Sequence, residues 1–484
     1  NLLHAAPRMA TPPPATTPGA SPLESILSPD LAAALAKRSA IGDTVAAPTV
    51  TVADRPTVPS SPKPPADAAY PPPPPEPGSI IDAGLGEGLV DALLLKVLLH
   101  NVTATGAELA RQSCLANPIV ADALSRMRDD LLVVIKGQAG AGDYVYQLSE
   151  AGHTRARQHA EHANYAGAAP VPLAAYERAI RAQAIGQTRV TPDKLRQAFD
   201  GLTVSDEMLS LLAQAVSDGR GLFLYGSPGN GKTTIAEHLC GSFGKYLWIP
   251  QAVSVGSDLI RIYDESCHVP ADLPELEGVR YDRRWVLIER PTVVVGGELT
   301  LEQLDPAFNP ASGISEAPVQ MKANGGVLVI DDFGRQRVSS TELLNRMIVP
   351  LEKQHDYLSL ASGRQVRIPF EMLCVLSTNL EPRELVDEAF LRRIPYKVEV
   401  ADPSLAQFRD VFAFFAKRLE MELAPGVVDA LLAEHYTPVN RPLRFCHPRD
   451  LLRQAKNYNT VHGRPAVADS DSINAAVKNY FAGL

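Results

Sequence analysis

The sequence predicts an α/β protein built on a buried parallel sheet, and three observations lead there. Gly226-Ser227-Pro228-Gly229-Asn230-Gly231-Lys232-Thr233 fits the pattern G-x-x-x-x-G-K-[ST] without a mismatch. It sits between an apolar run at 221–225 and a helix-forming stretch at 234–239. About a hundred residues on, Val327-Leu328-Val329-Ile330 is followed by Asp331-Asp332, and a second apolar run at 372–376 ends in Ser377-Thr378-Asn379. Apolar runs without alternation suit strands covered on both faces, as in a parallel sheet.

The glycine loop has a chemical reading. Its glycines let the backbone wrap closely round phosphate oxygens, and the loop feeds a helix N-terminus that favours an anion. The phosphate-binding set is therefore Gly226, Ser227, Pro228, Gly229, Asn230, Gly231, Lys232, Thr233 and Thr234. Lys232 reaches the β- and γ-phosphates and the Thr233 hydroxyl holds Mg²⁺. Asp331 emerges at the C-terminal end of its strand, where open α/β sheets bind ligands, and is placed to hold the Mg²⁺ water shell. Asp332 orients or deprotonates an attacking water. Asn379 reaches that water or the γ-phosphate. Further on, Arg392 and Arg393 share one helical turn.

Phosphate loop, acidic strand end, strand with a terminal asparagine and helix-end arginines, in this order, resemble an AAA+ ATPase over residues 191–484. The resemblance implies ATP and Mg²⁺ as ligands and a P-loop parallel sheet (191–400) with a C-terminal helical lid (401–484). It implies that Asn379 is sensor 1 and that Arg392 or Arg393, with Arg393 favoured, acts in trans on the neighbouring subunit's γ-phosphate. It also implies that Arg449, in His447-Pro448-Arg449-Asp450, is the lid's sensor 2. A trans-acting arginine implies a homo-oligomer, a hexameric ring. Asp332 stands where most members have Glu, which puts fast turnover in doubt. The implied activity is ATP hydrolysis coupled to remodelling of an unknown protein partner. The alternative is a DNA-linked regulator or helicase-loader-type ATPase.

The N-terminal part reads differently. Residues 1–78 hold about half of the chain's 41 prolines and almost no aromatics, so they predict a disordered tether with polyproline II character near its end. Within it, 23–40 is a candidate amphipathic helix, and Met9 is a candidate start residue. Residues 79–163 read as three helices and a glycine-tipped hairpin, resembling a winged-helix domain. Thr105 with Glu108 forms a capping box, and Asn117-Pro118 opens the third helix. That helix carries Arg126 and Arg128 but also Asp122, Asp129 and Asp130, so DNA binding is not favoured. Residues 164–190 read as a linker with a short helix at 173–183. Between the loop helix and the acidic strand lies a long insertion, in which 284–297 reads as paired strands. Residues 356–370 read as a hairpin. It either lines a pore or touches a neighbour, or closes a sheet edge.

Composition narrows the classes. A net charge of −9 argues against a general nucleic-acid coat, although it leaves room for a local basic patch. The five cysteines are scattered, with no C-x-x-C pair, which argues against a zinc site or disulfide framework and predicts a reducing cytoplasm. No apolar run reaches the length of a membrane span.

Overall fold

The structure, a computed structural model, describes residues 70–140, 142–185, 190–202, 204–385 and 388–482. The candidate helix at 23–40 and most of the expected tether lie outside these.

The N-terminal region begins with α1 (Glu87–Asn101), which is buried on nearly all sides from Leu93 to Leu98. After β1 (Thr103–Thr105) come α2 (Gly106–Ser113), α3 (Asn117–Asp129), β2 (Val133–Gly140), β3 (Asp143–Leu148) and α4 (Glu150–His162). The capping box forms: Thr105 Oγ1 accepts from the Glu108 amide, and Glu108 Oε2 accepts from the Thr105 amide. The strands order β1-β3-β2. The glycine segment expected as a turn at 137–142 belongs largely to β2, which runs to Gly140. Gly152 is required by a close approach, since a Cβ there would lie 1.9 Å from the Leu132 carbonyl oxygen.

Residues read as linker are built into the insertion. β4 (Val171–Pro172) pairs with a later strand, and α5 (Leu173–Ala182) buries Tyr176 and Ile180. Then α6 (Pro192–Ala198) and α7 (Asp206–Asp218) lead to β5 (Leu222–Tyr225) and α8 (Lys232–Leu239).

The insertion follows as β6 (Tyr246–Pro250), β7 (Ala252–Val255), β8 (Asp258–Arg261) and β9 (Trp285–Glu289). Then come β10 (Thr292–Val295), β11 (Ala307–Asn309) and β12 (Ile314–Glu316). One sheet orders β11-β12-β8-β7-β4, and β6 pairs antiparallel with β9. The strands expected to pair within 284–297 part company. After Glu289 the chain turns at Pro291, and β10 joins the main sheet instead.

That main sheet is completed by β13 (Val327–Ile330), β16 (Leu373–Thr378) and β17 (Tyr396–Glu399). Its order is β10-β13-β16-β5-β17, and every neighbouring pair is parallel. Alternate residues face two cores. Leu222, Leu224, Val327, Val329, Leu373 and Val375 face one. Phe223, Leu328, Ile330, Cys374 and Leu376 face the other. The two-faced burial expected from uninterrupted apolar runs is therefore present.

Between β13 and β16 lie α9 (Ser340–Lys353) and the hairpin β14 (His355–Ser359) and β15 (Gln365–Pro369). One face of the hairpin, with Leu358, Val366 and Ile368, packs into the insertion core beside α5. The other face carries exposed Tyr357. The chain ends in a helical lid: α10 (Leu405–Arg418), α11 (Cys446–Val461) and α12 (Ser470–Tyr480) around Phe408, Phe412, Leu451 and Leu452.

Candidate nucleotide site

Three neighbouring strands end at one edge of the sheet and bring the site together. The loop after β5 positions Lys232 and Thr233, β13 delivers Asp331 and Asp332, and β16 delivers Asn379. Lys232 is buried, and its Nζ donates to the carbonyls of Gly226 (2.9 Å) and Ser227 (3.0 Å) and to Asn379 Oδ1 (2.6 Å). Asn379 Nδ2 donates to Asp332 Oδ1 at 3.1 Å. Lys232, Asn379 and Asp332 thus form one hydrogen-bonded chain. Beside it, Thr233 Oγ1 donates to Asp331 Oδ2 at 2.7 Å. Burial lowers the Lys232 pKa, opposed by the charges of Asp331 and Asp332.

The backbone is arranged for the same purpose. Gly226 has φ +135°, and a Cβ there would lie 2.5 Å from the Val400 carbonyl oxygen. The first-turn N–H groups of α8 have no carbonyl one turn behind them, so they are available to an anion. Asp332 has φ +48°, uncommon for a residue with a side chain. Its turn is held by Phe333 N donating to the Ser377 carbonyl (2.7 Å) and by Gln336 Nε2 donating to the Asp331 carbonyl (2.9 Å).

The lid closes on the loop through Asn230. Its Nδ2 donates to Asp402 Oδ1 (2.7 Å) and to the Val400 carbonyl (3.3 Å), while its Oδ1 accepts from the Phe445 amide. Cys446 N donates to the Gly229 carbonyl at 3.0 Å. Arg444 pairs with Asp402, and its charge also lowers the Lys232 pKa. Arg449 lies in the first turn of α11, half-exposed and paired with Asp450 at 2.8 Å. Arg444 and Asp402 were missed from sequence. Their signal was a cation just ahead of a lid helix and an acid just past the last sheet strand. Of the paired arginines, Arg393 bonds Glu352 at the end of α9 (2.5 Å), and Arg392 is exposed.

The donor set fits a nucleotide with Mg²⁺. The Thr233 hydroxyl and Asp331 carboxylate present hard oxygens side by side, as Mg²⁺ prefers. Lys232 and the loop amides form a cradle whose close packing needs glycine, since a Cβ at Gly226 would lie 2.5 Å from the Val400 carbonyl oxygen and one at Gly229 2.5 Å from Cys446 Sγ. Phosphate loop, acidic strand end and terminal asparagine thus meet at one edge of a parallel sheet, with a helical lid beside the loop.

A family model described as Domain of unknown function (DUF8689) matches residues 404–479, which lie in the lid. No curated protein matches the sequence. In shape the chain is similar to NtrX from Brucella abortus in complex with ADP, at 14% identity and TM-score 0.37, over 59% of this chain and 57% of that one. The chain thus spans little more than half the length of NtrX. It is also similar to the Thermotoga maritima RuvB Holliday junction branch migration motor, at 13% identity and TM-score 0.34, over 59% and 73% of the two chains. A third similarity is to the complex between subunits BchI and BchD of magnesium chelatase, at 19% identity and TM-score 0.32, over 61% and 96%. Among the described residues no helix is long and apolar enough to cross a membrane.

Proposed function

We propose that this chain binds ATP·Mg²⁺ and hydrolyses ATP in a homo-oligomeric, hexameric ring that remodels a protein partner in the cytoplasm. The observation that carries the reading is the hydrogen-bonded chain Lys232–Asn379–Asp332 beside the Thr233–Asp331 pair. Lys232 would exchange its loop carbonyls for phosphate oxygens. Asn379 would then be free to orient water toward Asp332, whose carboxylate accepts the proton. Thr233 and Asp331 would hold Mg²⁺, which neutralises charge on the phosphates. Arg444 and Arg449 stand on the lid side, and Arg392 or Arg393 would act in trans on the neighbouring subunit's γ-phosphate.

We read residues 79–163 as a winged-helix-like unit that docks protein. A DNA-gripping role is less well supported by its charges. Arg126 bonds Asp91 at 3.1 Å and Arg128 bonds Asp129 at 3.2 Å, so both cations of α3 are already engaged.

Steady-state ATPase tests the proposal. Lys232→Ala should abolish nucleotide binding. Asp332→Asn should keep binding and slow turnover by about 10²- to 10⁴-fold. The double variant Arg392→Ala with Arg393→Ala should keep binding and slow turnover by about 10³-fold or more. Turnover per chain should rise with protein concentration. Absence of turnover by the wild type at every concentration would refute the motor reading.

A further inference from the structure

The last prolines before the helical region lie on the insertion. Proline fixes φ near −65° and biases the preceding residue toward extended backbone. The unbroken run Pro71-Pro72-Pro73-Pro74-Pro75 therefore favours left-handed polyproline II, with three residues per turn and carbonyls as its only backbone hydrogen-bonding groups. In that conformation the carbonyls of Pro71 and Pro74, three residues apart, fall one turn apart on the same edge. Both are taken: Trp248 Nε1 donates to Pro71 O at 3.0 Å, and the Asp282 amide donates to Pro74 O at 2.9 Å.

The surface beneath is aromatic. The Trp248 and Tyr281 rings lie 5.1 Å apart, Arg283 stacks over the Tyr281 ring at 5.1 Å, and Trp285 and Leu287 complete the same cluster. The second donor is anchored. Asp282 pairs with Arg284 inside the protein, and Arg284 also bonds the carbonyls of Ala83 and Pro170. At Glu76 the groove opens into a cavity of about 580 Å³ lined also by Arg111, Asn117 and Arg283.

We propose that the insertion carries a recognition groove for polyproline II segments, and that its occupant is the chain's own strap, residues 71–75. An aromatic floor with donors at the spacing of one polyproline turn is the chemistry by which proline-rich segments are recognised. Such a segment is already ordered before it binds, so it loses little entropy on docking. The inference goes beyond nucleotide hydrolysis and does not rest on it.

The chain has two tryptophans, Trp248 and Trp285, and both belong to this groove, so intrinsic fluorescence reports on it directly. The full chain carrying P71G, P73G and P74G keeps the carbonyls but loses the preset conformation. Its tryptophan emission should shift to the red, and an added peptide of residues 69–78, which has no tryptophan, should reverse the shift saturably. The wild type should bind that peptide at least about tenfold more weakly, because the tethered strap competes at on the order of millimolar effective concentration. Trp248→Phe in the glycine background should weaken binding about three- to tenfold through loss of the indole donor. Wild-type emission in the glycine chain, or equal binding of a peptide with the same three glycines, overturns the proposal. If the glycine chain does not fold, anisotropy of labelled 69–78 peptide on the wild type decides. Weak saturable binding lost in Trp248→Phe supports the groove, and no binding up to millimolar peptide overturns it.

Discussion

Replacing Asp282 with Ala should loosen the junction where three segments of the chain meet. Asp282 and Arg284 are almost fully inside the protein, with side-chain exposures of 6% and 4%. Arg284 Nε donates to Asp282 Oδ1 at 2.9 Å and Nη2 donates to Oδ2 at 2.7 Å, a two-point pairing. Nη1 reaches the Ala83 carbonyl (2.9 Å) and the Pro170 carbonyl (3.1 Å). Asp282→Ala keeps those two bonds but leaves a buried guanidinium without its counter-charge. Breaking one side of such a pair costs about 3–5 kcal/mol. If that cost is felt in local opening, amide exchange there should accelerate by about 10²- to 5 × 10³-fold. The amides to watch are those of Gln251, Asp282 and Trp285, which bond Arg284 O, Pro74 O and Asp282 O respectively. Hydrogen exchange followed by mass spectrometry reads this directly and needs no two-state unfolding. Exchange within about threefold of wild type at all three sites would show that the buried pair does not hold the junction.

Two further outcomes follow from the site and the lid. Gly226→Ala needs a Cβ 2.5 Å from the Val400 carbonyl oxygen at φ +135°, so the loop must shift. Strain of about 1–3 kcal/mol should weaken ATP binding about ten- to hundredfold with unchanged circular dichroism, checked by titration of a fluorescent nucleotide. In the lid, burial, assisted by the charges of Arg444 and Arg441, holds the His447 pKa down to about 4, where the ring meets the Tyr436 hydroxyl at 2.9 Å. The unfolded chain therefore binds the extra proton first. Lid stability should be full above pH 6.5 and fall by about 3 kcal/mol as pH drops from 6.5 to 4, followed by exchange of the α11 amides. A lid equally protected at pH 6.5 and pH 4 would contradict this.

Short-range order was legible in the sequence. The capping box at Thr105 and Glu108, the proline-led start of α3 and the glycine loop all declare themselves within a few residues. The doubly buried strands β13 and β16 were legible for the same reason, since four or more consecutive apolar residues leave no face for solvent. What was misread depended on partners far away. The run 284–297 was strand-like throughout, yet β9 pairs with β6 and β10 with β13. Strand propensity does not specify a partner, and the break at Pro291 separates the two sheets.

The sequence by itself determined the glycine loop between strand and helix, because its glycines, Lys232 and Thr233 lie in one contiguous stretch. It also determined that Asp331, Asp332 and Asn379 would stand at strand ends. Only the tertiary structure decided how they meet. Lys232 reaches Asn379 across 147 positions, Asn230 reaches Asp402 across 172, and Arg284 reaches Ala83 across 201. Such pairings are set by which strands lie side by side and by the need to satisfy buried polar groups. No local pattern records that choice. The same holds for the proline strap: its composition announced a polyproline segment, but only the fold supplied the two donors, Trp248 and Asp282, at the spacing of one turn.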